Sequence, residues 1–69
     1  MKKINIKLNG ENYQVEENTS ISGLICLLEL DSKKIAIEKD LEIIANLDYD
    51  KVILNENCVI EIVHFIGGG

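Results

Sequence analysis

The sequence has 69 residues, 46% of them hydrophobic, which fits one small folded domain and argues against a disordered segment. Its 12 acidic and 7 basic residues give a net charge of -5, and every basic residue is a lysine. Nucleic-acid binding is therefore disfavoured, because phosphate contacts need clusters of Lys or Arg. No apolar run reaches membrane-spanning length or follows Met1 as a signal peptide would, so we expect a soluble cytoplasmic protein.

The first sixteen residues predict a β-hairpin. Apolar and polar residues alternate over 4–8 and again over 12–16, which is typical of strands with one buried face. Asn9 and Gly10 stand between them, and both residue types accept the positive φ angles of a tight hairpin turn.

A single amphipathic helix is predicted over about 21–30. Its apolar stripe consists of Ile21, Leu24, Ile25 and Leu28, widened by Leu27 and Leu30. Thr19 and Ser20 are the candidate N-cap residues, and residues 31–32 are expected to end the helix.

Three further strands are predicted at 35–37, 52–54 and 58–66. The charged segment 39–50 is expected to be a loop with one short helical turn or strand. Residues 55–57 form a turn in which Asn57 tolerates the left-handed conformation. The last strand is the longest.

This order of elements predicts an α+β fold of the β-grasp, or ubiquitin-like, type. One helix covers one face of a mixed sheet of four to five strands. The first and last strands are the most apolar, so we place them at the centre, side by side and parallel. The β-grasp domain then spans 1–66, and 67–69 form a flexible C-terminal tail of three glycines.

The sequence shows no arrangement of side chains that is typical of an enzyme active site. The sequence has no nucleophile–base pair, carboxylate dyad or phosphate-binding loop. Cys26, Cys58 and His64 lack the spacing of metal ligands, so we predict no metal site, and both cysteines are interpreted as small apolar side chains.

The C-terminal tail is the candidate reactive segment. A terminal glycine carboxylate on a chain without side chains can enter a narrow active site of another protein. Three extended residues reach roughly 10 Å. We therefore predict that Gly67, Gly68 and Gly69 enter a partner's active site and that Gly69 is the residue modified there.

The last strand also suggests a docking surface. Ile60 and Ile62 are predicted to face the core, which leaves Glu61, Val63 and Phe65 on the opposite side. Val63 and Phe65 would be exposed beside the tail, and we interpret them as a partner-docking patch. The alternative is that residue 66 onward covers them.

The C-terminal sequence 63–69, Val-His-Phe-Ile-Gly-Gly-Gly, resembles that of the ThiS family of sulfur carriers in thiamin biosynthesis. The turn at 8–11 and the strand at 35–38 resemble further parts of the family pattern, and the resemblance covers essentially the whole chain. Two turns differ. Asp40 and Leu41 stand near a place where the family usually has Asn-Gly, and Asn57 and Cys58 replace its Gly-Asp.

The resemblance implies a carrier cycle. A ThiF-like adenylyltransferase would couple the Gly69 carboxylate to AMP with Mg-ATP, so this chain itself would bind no cofactor. Sulfur from a cysteine desulfurase would replace AMP and give a thiocarboxylate, and a ThiG-like thiazole synthase would accept that sulfur. The carrier would be a protein co-substrate and not an enzyme.

Three alternatives remain open at the level of sequence. The chain could be a carrier for another acceptor, like the small subunit of molybdopterin synthase. It could be a ubiquitin-like modifier that forms an isopeptide bond through Gly69, or a non-covalent interaction module with an inert tail. From its size and charge, we expect a monomer when free.

Overall fold

The structure, a computed structural model, describes residues 2–65. Within this range the elements are β1 (Lys3–Leu8), β2 (Glu11–Glu16), α1 (Ile21–Leu27), β3 (Ile35–Lys39), β4 (Glu42–Ile44) and β5 (Val59–His64). Short 3₁₀ turns lie at Ser32–Lys34 and Asn46–Asp48. No helix in this range is long and apolar enough to cross a membrane. The predicted tail, 67–69, lies outside the described residues.

The five described strands form one mixed sheet in the order β2-β1-β5-β3-β4. β5 lies at its centre and runs parallel to β1 and antiparallel to β3. The predicted β-grasp architecture is therefore confirmed, including the central, parallel pairing of the first and last strands.

The core lies between α1 and one face of the sheet, called here the inner face. Ile21, Leu24 and Ile25 of the helix meet the alternate apolar residues of the strands. Ile6 and Ile60, from the paired central strands, are 1% and 0% exposed. Full burial of each such side chain contributes about 1.5–3 kcal/mol to stability.

The helix begins where the sequence predicts and ends earlier. Ser20 is the N-cap, and its Oγ accepts a hydrogen bond from the N–H of Gly23 at 3.0 Å. At the other end Glu29 adopts a φ of 57°, and the N–H of Leu30 donates to the carbonyl of Ile25 at 3.1 Å. This reversal of the chain ends the helix after Leu27 in place of the predicted residue 30.

The predicted widening of the helical stripe by Leu27 is wrong, because that side chain is 58% exposed. Leu30 does pack against the core. Both cysteines were interpreted as small apolar side chains. Cys58 is buried, which fits that interpretation, whereas Cys26 lies on the exposed side of α1.

The predicted strand at 52–54 is not part of the sheet. Ile53 makes an isolated antiparallel bridge with Ser20, and Leu54 donates to the carbonyl of Thr19 at 2.8 Å. This segment therefore fixes the start of α1. The segment 39–50, which was predicted as a loop with one short helical turn or strand, contains both β4 and a 3₁₀ turn. It therefore has more regular structure than predicted.

Candidate functional site

β5 carries the candidate site, because it leads directly to the C-terminal tail. Its inner-face residues Ile60 and Ile62 are 0% and 8% exposed, which anchors the strand in the core. The predicted strand 58–66 is shorter as observed, Val59–His64, and residue 66 lies outside the described part of the chain. Backbone pairing continues one residue further, since the N–H of Phe65 donates to the carbonyl of Lys34 at 2.9 Å.

Two hairpin turns hold this strand from its two sides. On the β1 side, the Oδ1 of Asn9 accepts from the N–H of Ile62 at 2.7 Å. On the β3 side, the Oδ1 of Asp40 accepts from the N–H of Val59 at 2.9 Å. Each of these two residues occupies the first position of its turn, with a φ of 49° for Asn9 and 51° for Asp40. The side chains of Asn9 and Asp40 thus accept hydrogen bonds from backbone N–H groups of β5 at positions where the neighbouring strands have already ended.

The electrostatic consequence is clearest at Asp40. The backbone N–H of Val59 is the main cause that lowers the pKa of this carboxyl below its ordinary value. Nearby Lys39 lowers the pKa further, with its Nζ 3.4 Å from Oδ2, while partial burial opposes the shift. Asp40 is therefore held in its ionised form as an acceptor.

Val63 and Phe65 lie where the sequence analysis places them. They are 57% and 59% exposed, and Val63 sits opposite Ala36 of β3. The side of the sheet away from α1 is called here the outer face, and Val63 belongs to it. His64, between them, is exposed as well. Covering by residue 66 onward falls outside the described residues, so docking through this patch stays a prediction.

The candidate tail residues Gly67, Gly68 and Gly69 lie outside the described residues. Sequence reasoning missed the roles of Asn9 and Asp40 in holding β5, although the Asn-Gly pair marked the first turn. In the described range there is no group of three or more His, Cys, Asp or Glu side chains that could hold a metal ion.

A cleft of about 710 Å³ lies on another side of the molecule, between β2 and α1. Tyr13, Thr19 and Cys26 are among the residues of its wall. Among the described residues, Val63 and Phe65 do not line it.

Comparison with known proteins gives matches along nearly the whole chain. The family model described as "ThiS family" matches residues 6–69, a range that includes the three C-terminal glycines. The "Sulfur carrier protein ThiS" of Bacillus subtilis is 38% identical over 65 residues, which cover 93% of this chain and 98% of that protein.

A "Thiazole synthase" of Magnetococcus marinus is 41% identical over 64 residues, which cover 93% of this chain. The same residues cover 20% of that protein, so this chain spans about a fifth of its length. The crystal structure of "thiamine biosynthesis protein (ThiS)" from Geobacter metallireducens matches with a TM-score of 0.84 and 22% identity. That match covers 96% of this chain and 100% of the other, and it supports the β-grasp fold.

Proposed function

This chain belongs to the ThiS family, and we propose that it carries sulfur for thiazole formation in thiamin biosynthesis, with Gly69 as the residue that bears the sulfur. The observation that carries the proposal is the reach of the family match, which runs from residue 6 to the terminal Gly69. The alignment with the Bacillus carrier covers nearly all of both proteins, so the likeness extends beyond a shared fold.

Activation of the carboxylate is the first proposed step. A carboxylate is a poor electrophile, and a ThiF-like adenylyltransferase would use Mg-ATP to join Gly69 to AMP with release of pyrophosphate. AMP is then the leaving group. A glycine at this position leaves the carbonyl without a neighbouring Cβ, so a narrow active site can close around it.

Sulfur transfer is the second proposed step. The terminal sulfur of a cysteine desulfurase persulfide attacks the acyl adenylate and AMP leaves, which gives an acyl disulfide. A thiol reductant then cleaves the S–S bond, so that the desulfurase thiol is released and a thiocarboxylate is left on Gly69. The proposed acceptor is a ThiG-like thiazole synthase, which is supported by the Magnetococcus protein, since a fifth of that thiazole synthase resembles this chain. We place the cycle in the cytoplasm, where thiols stay reduced.

The contribution of this chain is to present its terminus. β5 is anchored by two buried isoleucines and by the turn residues Asn9 and Asp40. The end of β5 at His64 is therefore held in the sheet next to the exposed Val63 and Phe65. In this proposal, a partner binds that patch and takes up the glycines that follow.

Intact mass spectrometry tests the proposal. The chain is incubated with a ThiF-like adenylyltransferase, Mg-ATP and sulfide, and the same mixture without ATP is the control. We expect an AMP adduct, followed by exchange of one oxygen for sulfur at Gly69. An unchanged mass with an enzyme that activates its own carrier would overturn the proposal. A conjugate with the lysine of another protein would instead indicate a modifier.

A further inference from the structure

The turn between β1 and β2 differs from the other places where an asparagine has a left-handed backbone. Asn9, Asn18 and Asn57 have φ angles of 49°, 70° and 68°, and all three are exposed. Asn9 is followed by Gly10, whereas the other two are followed by threonine and cysteine. A Cβ built on Gly10 would meet no atom of residues 2–65 within 4 Å, its two chain neighbours apart. The backbone nitrogen that follows Asn9 is therefore the least hindered of the three.

An asparagine side chain can react with an unhindered backbone nitrogen that follows it. The nitrogen of Gly10 loses its proton to a base in the solvent and attacks Cγ of Asn9, so that a new C–N bond forms. The bond from Cγ to the side-chain nitrogen breaks, and that nitrogen takes up protons from the solvent and leaves as ammonia. Water then opens the cyclic imide. Opening at the side-chain carbonyl gives aspartate, and opening at the main-chain carbonyl gives isoaspartate, whose main chain is longer by one CH2 group.

We propose that Asn9 is a site of spontaneous deamidation and that its hydrogen bonds to β5 couple this reaction to the opening of that strand. The Oδ1 of Asn9 accepts from the N–H of Ile62 at 2.7 Å, and its own N–H donates to the carbonyl of Ile60 at 2.9 Å. The side chain is held against β5 by the first of these bonds. That bond has to break before Cγ can turn towards the nitrogen of Gly10. The inference is independent of the proposed function.

The two products affect β5 differently. The turn between Leu8 and Glu11 has only two residues, and its length sets the register of β1 with β2. An isoaspartyl residue lengthens this turn and redirects the side chain, so the carbonyl of Ile60 and the N–H of Ile62 lose their partners there. Aspartate keeps the main chain unchanged and still offers an acceptor oxygen. Isoaspartate is therefore the product that releases the second half of β5 on the β1 side.

The coupling works in both directions. While β5 is paired, the bond to Ile62 slows the attack on Cγ of Asn9. When the end of the strand opens locally, as strand ends do, Asn9 is free to react. The isoaspartyl product then hinders the return of β5 to the sheet, and the loss of ammonia makes the change one-way. The turn at Asn9 thus records how often the end of β5 has opened.

The test incubates the full chain at mildly alkaline pH, one sample folded and the other unfolded in concentrated urea. Mass spectrometry of proteolytic fragments follows the conversion of Asn9, with Asn18 and Asn57 as internal references because they share its left-handed backbone. The isoaspartyl form is separated from the urea sample by chromatography and refolded. Hydrogen exchange at the Ile62 amide is then compared between this form, the unmodified chain taken through the same steps, and the variant Asn9→Asp.

We expect Asn9 to convert fastest of the three asparagines in urea, and to convert roughly two- to tenfold more slowly or slower still in the folded chain, as the breaking of one hydrogen bond implies. Equal rates for Asn9 in the two samples would overturn the coupling. Conversion of Asn18 or Asn57 in urea as fast as that of Asn9 would overturn the assignment of the site.

Exchange at the Ile62 amide tests the consequence for β5. Protection of this amide should persist in Asn9→Asp and should be lost in the isoaspartyl form. Failure of the isoaspartyl form to refold, while the unmodified chain refolds, counts as the same loss. Full protection of the Ile62 amide in the isoaspartyl form would show that the turn does not hold β5, and an equal loss in Asn9→Asp would show that the longer main chain is not the cause.

Discussion

The Oδ1 of Asn9 accepts a hydrogen bond from the backbone N–H of Ile62 at 2.7 Å, so a turn residue completes the edge of the strand that carries the tail. The backbone N–H of Asn9 also donates to the carbonyl of Ile60 at 2.9 Å. β1 ends at Leu8, yet β5 stays paired on that side for two residues more. The hairpin turn therefore helps to hold the second half of β5 in the sheet.

Loss of this acceptor should loosen β5. Asn9→Gly removes the side chain and keeps a residue that tolerates a φ of 49°, so unfolding free energy should fall by about 1 kcal/mol. The free energy of unfolding should fall further in Asn9→Ala, because alanine also has a conformational cost in the left-handed region that this position requires. Urea denaturation measures both, and hydrogen exchange reads the Ile62 amide. Unchanged protection of that amide in both variants would show that the bond is not needed.

The equivalent contact at Asp40 predicts a pH dependence. Because the folded pKa is lowered from its ordinary value of 3.8, the ionised carboxylate stabilises the fold fully above that ordinary pKa. This contribution is lost as the pH falls through the lowered folded value. The control Asp40→Asn keeps the Oδ1 acceptor without the charge. We expect the stability difference between the two proteins to be constant near neutral pH and to shrink in acid. A difference independent of pH down to complete protonation would contradict the assigned pKa shift.

The second residue of that turn carries backbone strain. Leu41 has a φ of 73° and is 86% exposed, so its side chain gains little from packing. Leu41→Gly should raise the unfolding free energy by about 1 kcal/mol, since glycine has no left-handed penalty. Leu47, 87% exposed and not at a positive φ, is the matched control, and Leu47→Gly should not stabilise. If both substitutions change the midpoint of thermal unfolding equally, Leu41 is not a strained position.

Much of the fold was predictable because its strands alternate regularly. Residues 4–8 alternate between apolar and polar, Ile60 and Ile62 are buried at the same two-residue spacing, and Asn9-Gly10 marks the first turn. β4 was not found, because the turn before it uses Asp40 and Leu41 where a glycine would have signalled a hairpin. The helix end was missed for the same reason, since Glu29 occupies the left-handed position that glycine usually takes.

The candidate site was predictable only in part. Exposure of Val63 and Phe65 followed from the alternation around Ile62. The hydrogen bonds from Asn9 and Asp40 to β5 depend on the register between β5 and its two neighbouring strands, which are distant from it along the chain. No local pattern fixes a long-range register of this kind.

A change at the terminal glycine should separate folding from activation. Gly69→Ala should unfold like the wild type, because Gly69 comes five residues after β5 ends. It should form the AMP adduct far more slowly, since a Cβ next to the carbonyl obstructs a narrow active site. Circular dichroism and the rate of adduct formation test the two halves. A normal rate would show that the activating enzyme accepts side chains at this position.

The exposed apolar groups beside the tail give the last prediction. Phe65→Asp should change the unfolding free energy by less than about 0.5 kcal/mol, as exposed substitutions usually do. It should nevertheless weaken binding to the activating enzyme, because a carboxylate would be buried in an apolar contact. Leu27→Asp is the matched control, since Leu27 is 58% exposed and lies on α1, on the other side of the sheet. Loss of binding in Phe65→Asp alone places the interface on the outer face. Loss in Leu27→Asp alone would place the interface on the helix side and remove the docking role of β5.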